Sequence, residues 1–371
     1  MGSLFDYLNW RGDLSFSQSE INDVDSLIFS LLSYIDFREI VPTSHETGGA
    51  VPLRTATNAF FSKNPNDRKI SMGVMVPKGI IHLLRAVKES KRFKNVQIKA
   101  HVNCIDLERQ MQFSATTFLI GEGKAVVAFR GTDDTIVAWK ENFNMSFMKS
   151  IPAQREAVAY LEAAAQHFDG EIYITGHSKG GNLAVYASVY CREDVQERLA
   201  RVWSNDGPGF CNKMLDDPAY IRIRPIIRTL IPQSSVVGML LEHEENYIVV
   251  KSRQKGILQH DGLTWEIMGA SFVHLQTVTG ECRRTDRTLN QFIKNMSLEQ
   301  REQFTEALYQ LLSVGDALTL SDLVSMRRRW RAKGKTLDPQ VYKTLSQTLS
   351  ALINLSAKNF IGDILPKKTQ K

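Results

Sequence analysis

The segment Glu171-Ile-Tyr-Ile-Thr-Gly-His-Ser-Lys-Gly-Gly-Asn-Leu-Ala-Val-Tyr-Ala-Ser188 constrains this chain more than any other. Its apolar run Ile172–Ile174 reads as a strand. Leu183, Ala184, Ala187 and Cys191 are spaced to pack one face of a helix. Between them lies a turn with Ser178 at its tip and Gly176 and Gly180 two residues to either side. The glycines have a steric reason, because a side chain at either place would meet neighbouring backbone in so tight a turn. Such an elbow holds a hydroxyl above the sheet edge and aims the first amides of the helix at the space beside it.

The rest of the chain supplies a sheet for this unit. Ser17-x-x-Glu20 has the form of a capping box, followed by Ile21, Val24, Leu27, Ile28, Leu31 and Leu32 at helical spacing. Ile80, Ile81, Leu84 and Val87 repeat the pattern. A strand-rich block follows over Val96–Ile105, Gln110–Ile120 and Lys124–Arg130, with Gly121-Glu-Gly123 as a hairpin turn. A helix over Ala153–Phe168 leads into the elbow strand. Ala200–Asn205 and Tyr247–Ser252 read as further buried strands. Strands alternating with helices predict a mostly parallel α/β sheet flanked by helices. The N-terminal helices fall within 1–92 and the sheet domain within 1–280. From about Asn290 strand signals stop, and Gln300–Leu312 and Tyr342–Ile361 read as helices of a C-terminal appendage, 281–371.

Composition narrows the class. The chain has 371 residues, 43% hydrophobic and 23% charged, an ordinary globular balance. No apolar run approaches the roughly 20 residues a membrane-spanning helix needs. The first residues lack a basic region followed by an apolar core, so no signal peptide is expected. Asp6 stands where a myristoylation site places Ser or Thr. Cys104, Cys191, Cys211 and Cys282 lie far apart, which fits reduced thiols and a cytoplasmic location. The net charge of +6 belongs to the C-terminal part, where 281–371 hold sixteen Lys/Arg against nine Asp/Glu.

Serine becomes a nucleophile when a base takes its proton, and histidine is the residue whose ordinary pKa suits that task. His260 stands in Lys255-Gly-Ile-Leu-Gln-His-Asp261, a loop just after an apolar strand, where a base can project toward the elbow. His243, among glutamates before that strand, and His274 are the alternatives; His177 reads as a packing residue. The acid that orients the imidazole is read as Asp206, at a strand end in Asn205-Asp-Gly-Pro-Gly-Phe210. One strand later the chain offers Ser234-Ser235 and no carboxylate. Asp261 is too close in sequence to His260 to bond its ring. The oxyanion donors are expected to be the backbone amide of Lys179 and Thr132, which opens the turn after the strand ending in Phe129-Arg-Gly131. The apolar span 211–243, with Arg222, Arg224 and Arg228 among isoleucines, reads as strand-poor: either a lid over an acyl pocket or a helix packed on the body.

Together these residues resemble the class 3 (fungal-type) lipase superfamily, through Phe129-Arg-Gly-Thr132, Trp139 and Gly176-His-Ser-Lys-Gly180. More closely, residues 5–275 are similar to the Mbeg-like bacterial serine hydrolases. That likeness rests on Phe5-Asp-Tyr-Leu-Asn-Trp-Arg-Gly-Asp13, Phe129-Arg-Gly-Thr-Asp-Asp134, Trp139-Lys-Glu-Asn-Phe-Asn144, Gly176-His-Ser-Lys-Gly-Gly-Asn182, Asn205-Asp-Gly-Pro-Gly-Phe210 and Gln259-His-Asp261. The resemblance implies an α/β-hydrolase fold, Ser178 as nucleophile, Thr132 at the oxyanion hole and His260 as base. The chain departs from the fungal-type lipases at Ser234-Ser235, where they carry their acid, and Asp206 takes that role instead. The reading is a carboxylic-ester hydrolase of lipase or esterase type, acting on a small-molecule ester with an apolar acyl portion. No metal or organic cofactor is called for. The same machinery also fits thioester or amide hydrolysis or acyl transfer. A reading of another class makes the chain a binding protein whose basic stretch 326–335 meets an anionic membrane surface, against the plainer reading of a solvated helix face. No nucleic-acid-binding motif is visible.

Overall fold

The computed structural model describes residues 1–66, 70, 72, 76–210, 212–241, 246–280, 282, 283, 296–312 and 319. The helices are α1 (Leu4–Arg11), α2 (Asp23–Leu32), α3 (Leu53–Lys63), α4 (Gly79–Glu89), α5 (Ile136–Asn144), α6 (Pro152–Gln166), α7 (Lys179–Tyr190), α8 (Glu193–Gln196), α9 (Asn212–Leu215), α10 (Pro218–Ile223) and α11 (Leu298–Leu312). The strands are β1 (Val51–Pro52), β2 (Gln97–Asp106), β3 (Met111–Gly121), β4 (Lys124–Phe129), β5 (Glu171–His177), β6 (Leu199–Asn205), β7 (Ile227–Pro232), β8 (Ile248–Val250), β9 (Ile267–Met268), β10 (Ser271–Phe272) and β11 (His274–Leu275).

Nine of these strands form one sheet in the order β1-β2-β3-β4-β5-β6-β7-β8-β11. β1 to β4 pair antiparallel, β4 to β8 pair parallel, and β11 closes the far edge antiparallel to β8. The period of two along a strand divides the core between the two faces. In β4, Val126 and Ala128 join a cluster with Leu27, Leu31 and Leu84 from α2 and α4. Val127 and Phe129 join another with Leu161 and Leu183 from α6 and α7. Strands covered on both faces read as unbroken apolar runs, which is why β4 and β5 were legible.

The registers level the carboxyl ends of the parallel strands. Phe129 lies opposite Gly176, His177 opposite Asn205, Asn205 opposite Leu230, and Pro232 opposite Val250. The loops that leave β4, β5, β6, β7 and β8 therefore emerge along one edge, the usual place for a site in an open α/β sheet.

Two local readings change. The cap of α2 is not Ser17 with Glu20; Asn22 accepts from the amides of Val24 and Asp25, and Asp25 completes the box. The span 211–243 is not strand-poor, because it contains β7, an inner strand of the sheet. Arg228 breaks the apolar pattern of β7, and its guanidinium is held by Asp23 of α2 at 2.5 and 2.6 Å. Before β7, α10 buries Tyr220 and Ile223 in the α7 side of the core. α11 packs on α5 through Phe304 and Phe143, with Lys140 paired to Glu306 at 2.5 Å. Cys211, His243, the basic stretch 326–335 and the helix expected over Tyr342–Ile361 lie outside the described residues. Among the described residues no helix is long and apolar enough to cross a membrane.

Candidate active site

Ser178 sits between β5 and α7 with φ 58° and ψ −133°. A non-glycine residue in such a region stores roughly 1–3 kcal/mol of backbone strain, held by its surroundings. A Cβ on Gly176 would lie 2.0 Å from the carbonyl oxygen of Gly180, and one on Gly180 would lie 2.1 Å from that of Phe129. The turn therefore closes only with glycine at both places. The Ser178 amide donates to the Asn205 carbonyl at 3.0 Å, and its own carbonyl accepts from Gly181 at 2.8 Å. Ser178 is half-buried and open to solvent.

Asp206 follows β6 and is completely buried. It too has a positive φ, 52°. Its amide donates to the Leu230 carbonyl at 2.7 Å, which ties the residue to β7. His260 closes a short 3-10 turn, Gly256–His260. Its Nδ1 donates to Asp206 Oδ2 at 2.6 Å, and its side chain is 22% exposed. The other carboxylate oxygen, Oδ1, accepts from Ser235 Oγ at 2.5 Å and from the Gly238 amide at 3.2 Å. The turn after β7 thus contributes two donors to the acid on β6. Asp261 caps the following turn through the Leu263 amide at 3.0 Å. His274 is exposed on the edge strand β11, opposite Val250.

His177 does more than pack. Its Nε2 donates to the His260 carbonyl at 2.7 Å, and the two rings lie 4.5 Å apart. A carbonyl only accepts, so Nε2 carries the proton and Nδ1 accepts from the Tyr34 hydroxyl at 3.2 Å. Burial, and next the neighbouring His260, hold the His177 pKa down at about 3, so this ring stays neutral and fixes the His260 loop.

The loop leaving β4 lies against the elbow. A Cβ on Gly131 would stand 2.6 Å from the His177 carbonyl and 3.0 Å from Ser178 Cβ. Thr132 Oγ1 accepts from the Asn142 side-chain amide at 2.7 Å and donates to its Oδ1 at 3.1 Å. Arg130 is buried and pairs with Asp133 at 2.9 Å; burial lowers its pKa. Lys179 presents its amide as the first of α7. Its side chain turns inward, donating to Glu141 Oε2 at 2.8 Å and to the Gln112 carbonyl at 2.7 Å. Asn182, one helical turn after Ser178, donates to the carbonyls of Pro208 and Gly209 and accepts from Gln154 at 2.8 Å, which pins the Asp206 turn to α7.

Ser178, His260, Asp206, Thr132 and Lys179 are therefore gathered at one sheet edge. Sequence reasoning passed over Glu141, Asn142, Ser235 and the positioning contacts of His177. The only signal for the first two was their place in Trp139-Lys-Glu-Asn-Phe-Asn144, which carried no role of its own. Among the described residues no group of three His, Cys, Asp or Glu is placed to hold a metal ion.

A largely parallel sheet with a serine at a strained strand–helix elbow, and an Asp-bonded histidine on the same sheet edge, is an α/β-hydrolase fold. The Mbeg1-like family model matches residues 87–310, more than half of the chain, and the protein belongs to that family. A comparison with curated proteins finds no match. Among solved structures, the Rhizomucor miehei lipase–propeptide complex is 16% identical, covers 60% of this chain and 79% of its own, and has a TM-score of 0.32. A fungal lipase–inhibitor complex is 12% identical over 75% of this chain and 91% of its own, at 0.36. The M37 lipase is 14% identical over 66% and 81%, at 0.33. At such scores the architecture rests on the sheet order and registers given above.

Proposed function

We propose that the protein is a serine hydrolase of carboxylic esters. The observation that carries the reading is the 2.6 Å bond from His260 Nδ1 to buried Asp206, set on the same sheet edge as the strained elbow of Ser178. With Nδ1 committed to Asp206, His260 Nε2 is the nitrogen free to take the Ser178 proton. Ser178 Oγ attacks the ester carbonyl, and the amides of Lys179 and Thr132 receive the developing oxyanion. His260 returns the proton to the leaving alcohol. Water, activated by the same imidazole, then releases the acyl group. Asp206 keeps the imidazole in the useful tautomer and stabilises its cation.

An apolar acyl portion is supported by half-buried Val236, Val237, Met239 and Leu240 beside the Asp206 turn, and by exposed Leu258 on the base loop. The test is labelling with a fluorophosphonate probe and mapping of the modified residue, alongside hydrolysis of short p-nitrophenyl esters. Label on Ser178, and loss of both label and hydrolysis in Ser178→Ala, is the expected result. Hydrolysis retained by a clean Ser178→Ala preparation removes Ser178 from the mechanism.

A further inference from the structure

Glu141 and Lys179 form an ion pair that the reaction above does not use. Their side chains are 0% and 1% exposed. Glu141 Oε2 accepts from Lys179 Nζ at 2.8 Å and from the Gln112 amide at 3.2 Å, and Oε1 accepts from the Ala153 amide at 2.9 Å. One carboxylate on α5 therefore ties together β3, the start of α6 and the residue directly after the nucleophile. Lys179 Nζ also reaches the Gln112 carbonyl at 2.7 Å. The next residue on α5, Asn142, holds Thr132 at 2.7 Å. Both proposed oxyanion donors are thus braced from adjacent positions of one helix.

Stability does not explain the pair. Removing two charges from water costs about as much as their attraction returns, and well-packed apolar residues often serve a core as well or better. What an ion pair with three further hydrogen bonds provides is a fixed position. An oxyanion hole works only when its donors are already aimed at the place where charge develops.

We propose that Glu141, acting through Lys179 Nζ, is a positioning residue that sets the elbow amide for transition-state charge. This rests on the serine-hydrolase reading, and the experiment separates the two. The double variant Lys179→Met/Glu141→Gln removes the pair without stranding a charge. In the full chain it is expected to melt within a few degrees of wild type. Its kcat should fall roughly 10- to 100-fold at unchanged KM. Fluorophosphonate labelling should slow in parallel, and the acid limb of the pH profile should stay in place, since His260 and Asp206 are untouched. A pair with a merely structural role would lower the melting temperature and leave kcat intact well below it. A folded double variant with kcat within about twofold of wild type overturns the proposal. Should that variant fail to fold, Glu141→Asp keeps the charge and withdraws it by one methylene, and the same loss of kcat at constant KM is required of it. A wild-type chain that neither labels nor hydrolyses overturns the parent reading and this one together, whereas an active wild type beside a fully active variant overturns this one alone.

Discussion

Asp206→Asn is the most discriminating substitution at this site, because the surroundings decide which way the amide must face. Ser235 Oγ and the Gly238 amide both donate to Oδ1, at 2.5 and 3.2 Å. An asparagine therefore keeps its carbonyl oxygen there and turns its NH2 toward His260 Nδ1. Nδ1 must then accept, which moves the ring proton to Nε2 and leaves no base for Ser178. Turning the amide over restores the tautomer but faces its NH2 toward Ser235, so the buried Ser235 hydroxyl loses the acceptor for its proton, at about 1–3 kcal/mol, while the Gly238 amide keeps its 2.9 Å bond to Ser235 Oγ. The neutral oxygen then facing the imidazolium forgoes about another 1.5 kcal/mol of charge-assisted bonding. The sum corresponds to a loss of roughly 10²–10³ in kcat. The assay is initial-rate hydrolysis of p-nitrophenyl butyrate, with thermal unfolding to show that the isosteric variant is folded. A folded variant within tenfold of wild-type kcat refutes the assignment of Asp206 as the orienting acid.

Further outcomes follow from the same geometry. Ser235→Ala removes the shortest bond to Asp206 and should lower kcat about tenfold or more with the fold intact, since a bond to a charged group contributes about 1.5–3 kcal/mol; an unchanged kcat would show that Gly238 suffices. Gly180→Ala drives a Cβ to 2.1 Å from the Phe129 carbonyl and should cost about 3 kcal/mol or more, whereas Gly49→Ala meets nothing within 4 Å and serves as the neutral control in denaturant titration. Burial lowers the pKa of His177 to about 3 and of His45 to about 4, from an ordinary 6.5. Each stays neutral in the fold while the unfolded chain takes up its proton, so stability is complete above pH 6.5 and falls as the pH drops toward 4, by up to about 1.4 kcal/mol per pH unit for each ring. Denaturant-derived stabilities between pH 7.5 and 4.5 test this, and His45→Asn should make the decline shallower; an identical slope would mean that His45 does not titrate on unfolding.

Much of the sheet was legible before any coordinates. β4 follows from its unbroken apolar run, β3 from its β-branched and aromatic residues joined to it by Gly121-Glu-Gly123, and the elbow from glycine spacing alone, because these signals are local and steric. β7 was missed for an equally physical reason. Arg228 interrupts its apolar run, and a half-buried arginine in an inner strand makes sense only beside Asp23, a residue of α2 far away in the chain. The cap of α2 was misplaced because Ser17-x-x-Glu20 and Asn22-x-x-Asp25 are both capping boxes by composition, and packing starts the helix at the second. α1 and α3 are short and carry weak periodicity, so only their docking on the first core cluster reveals them.

At the candidate site the division is sharper. Sequence alone specified the elbow and the serine at its tip, since both depend on residues within a few positions of one another. Whether Asp206 reaches His260, what Ser235 supports, and where the Lys179 ammonium goes were decided only in three dimensions. Parallel registers bring the ends of separate strands to one edge, and a buried charge must find its partner in whichever element folds against it, however distant that element lies along the chain.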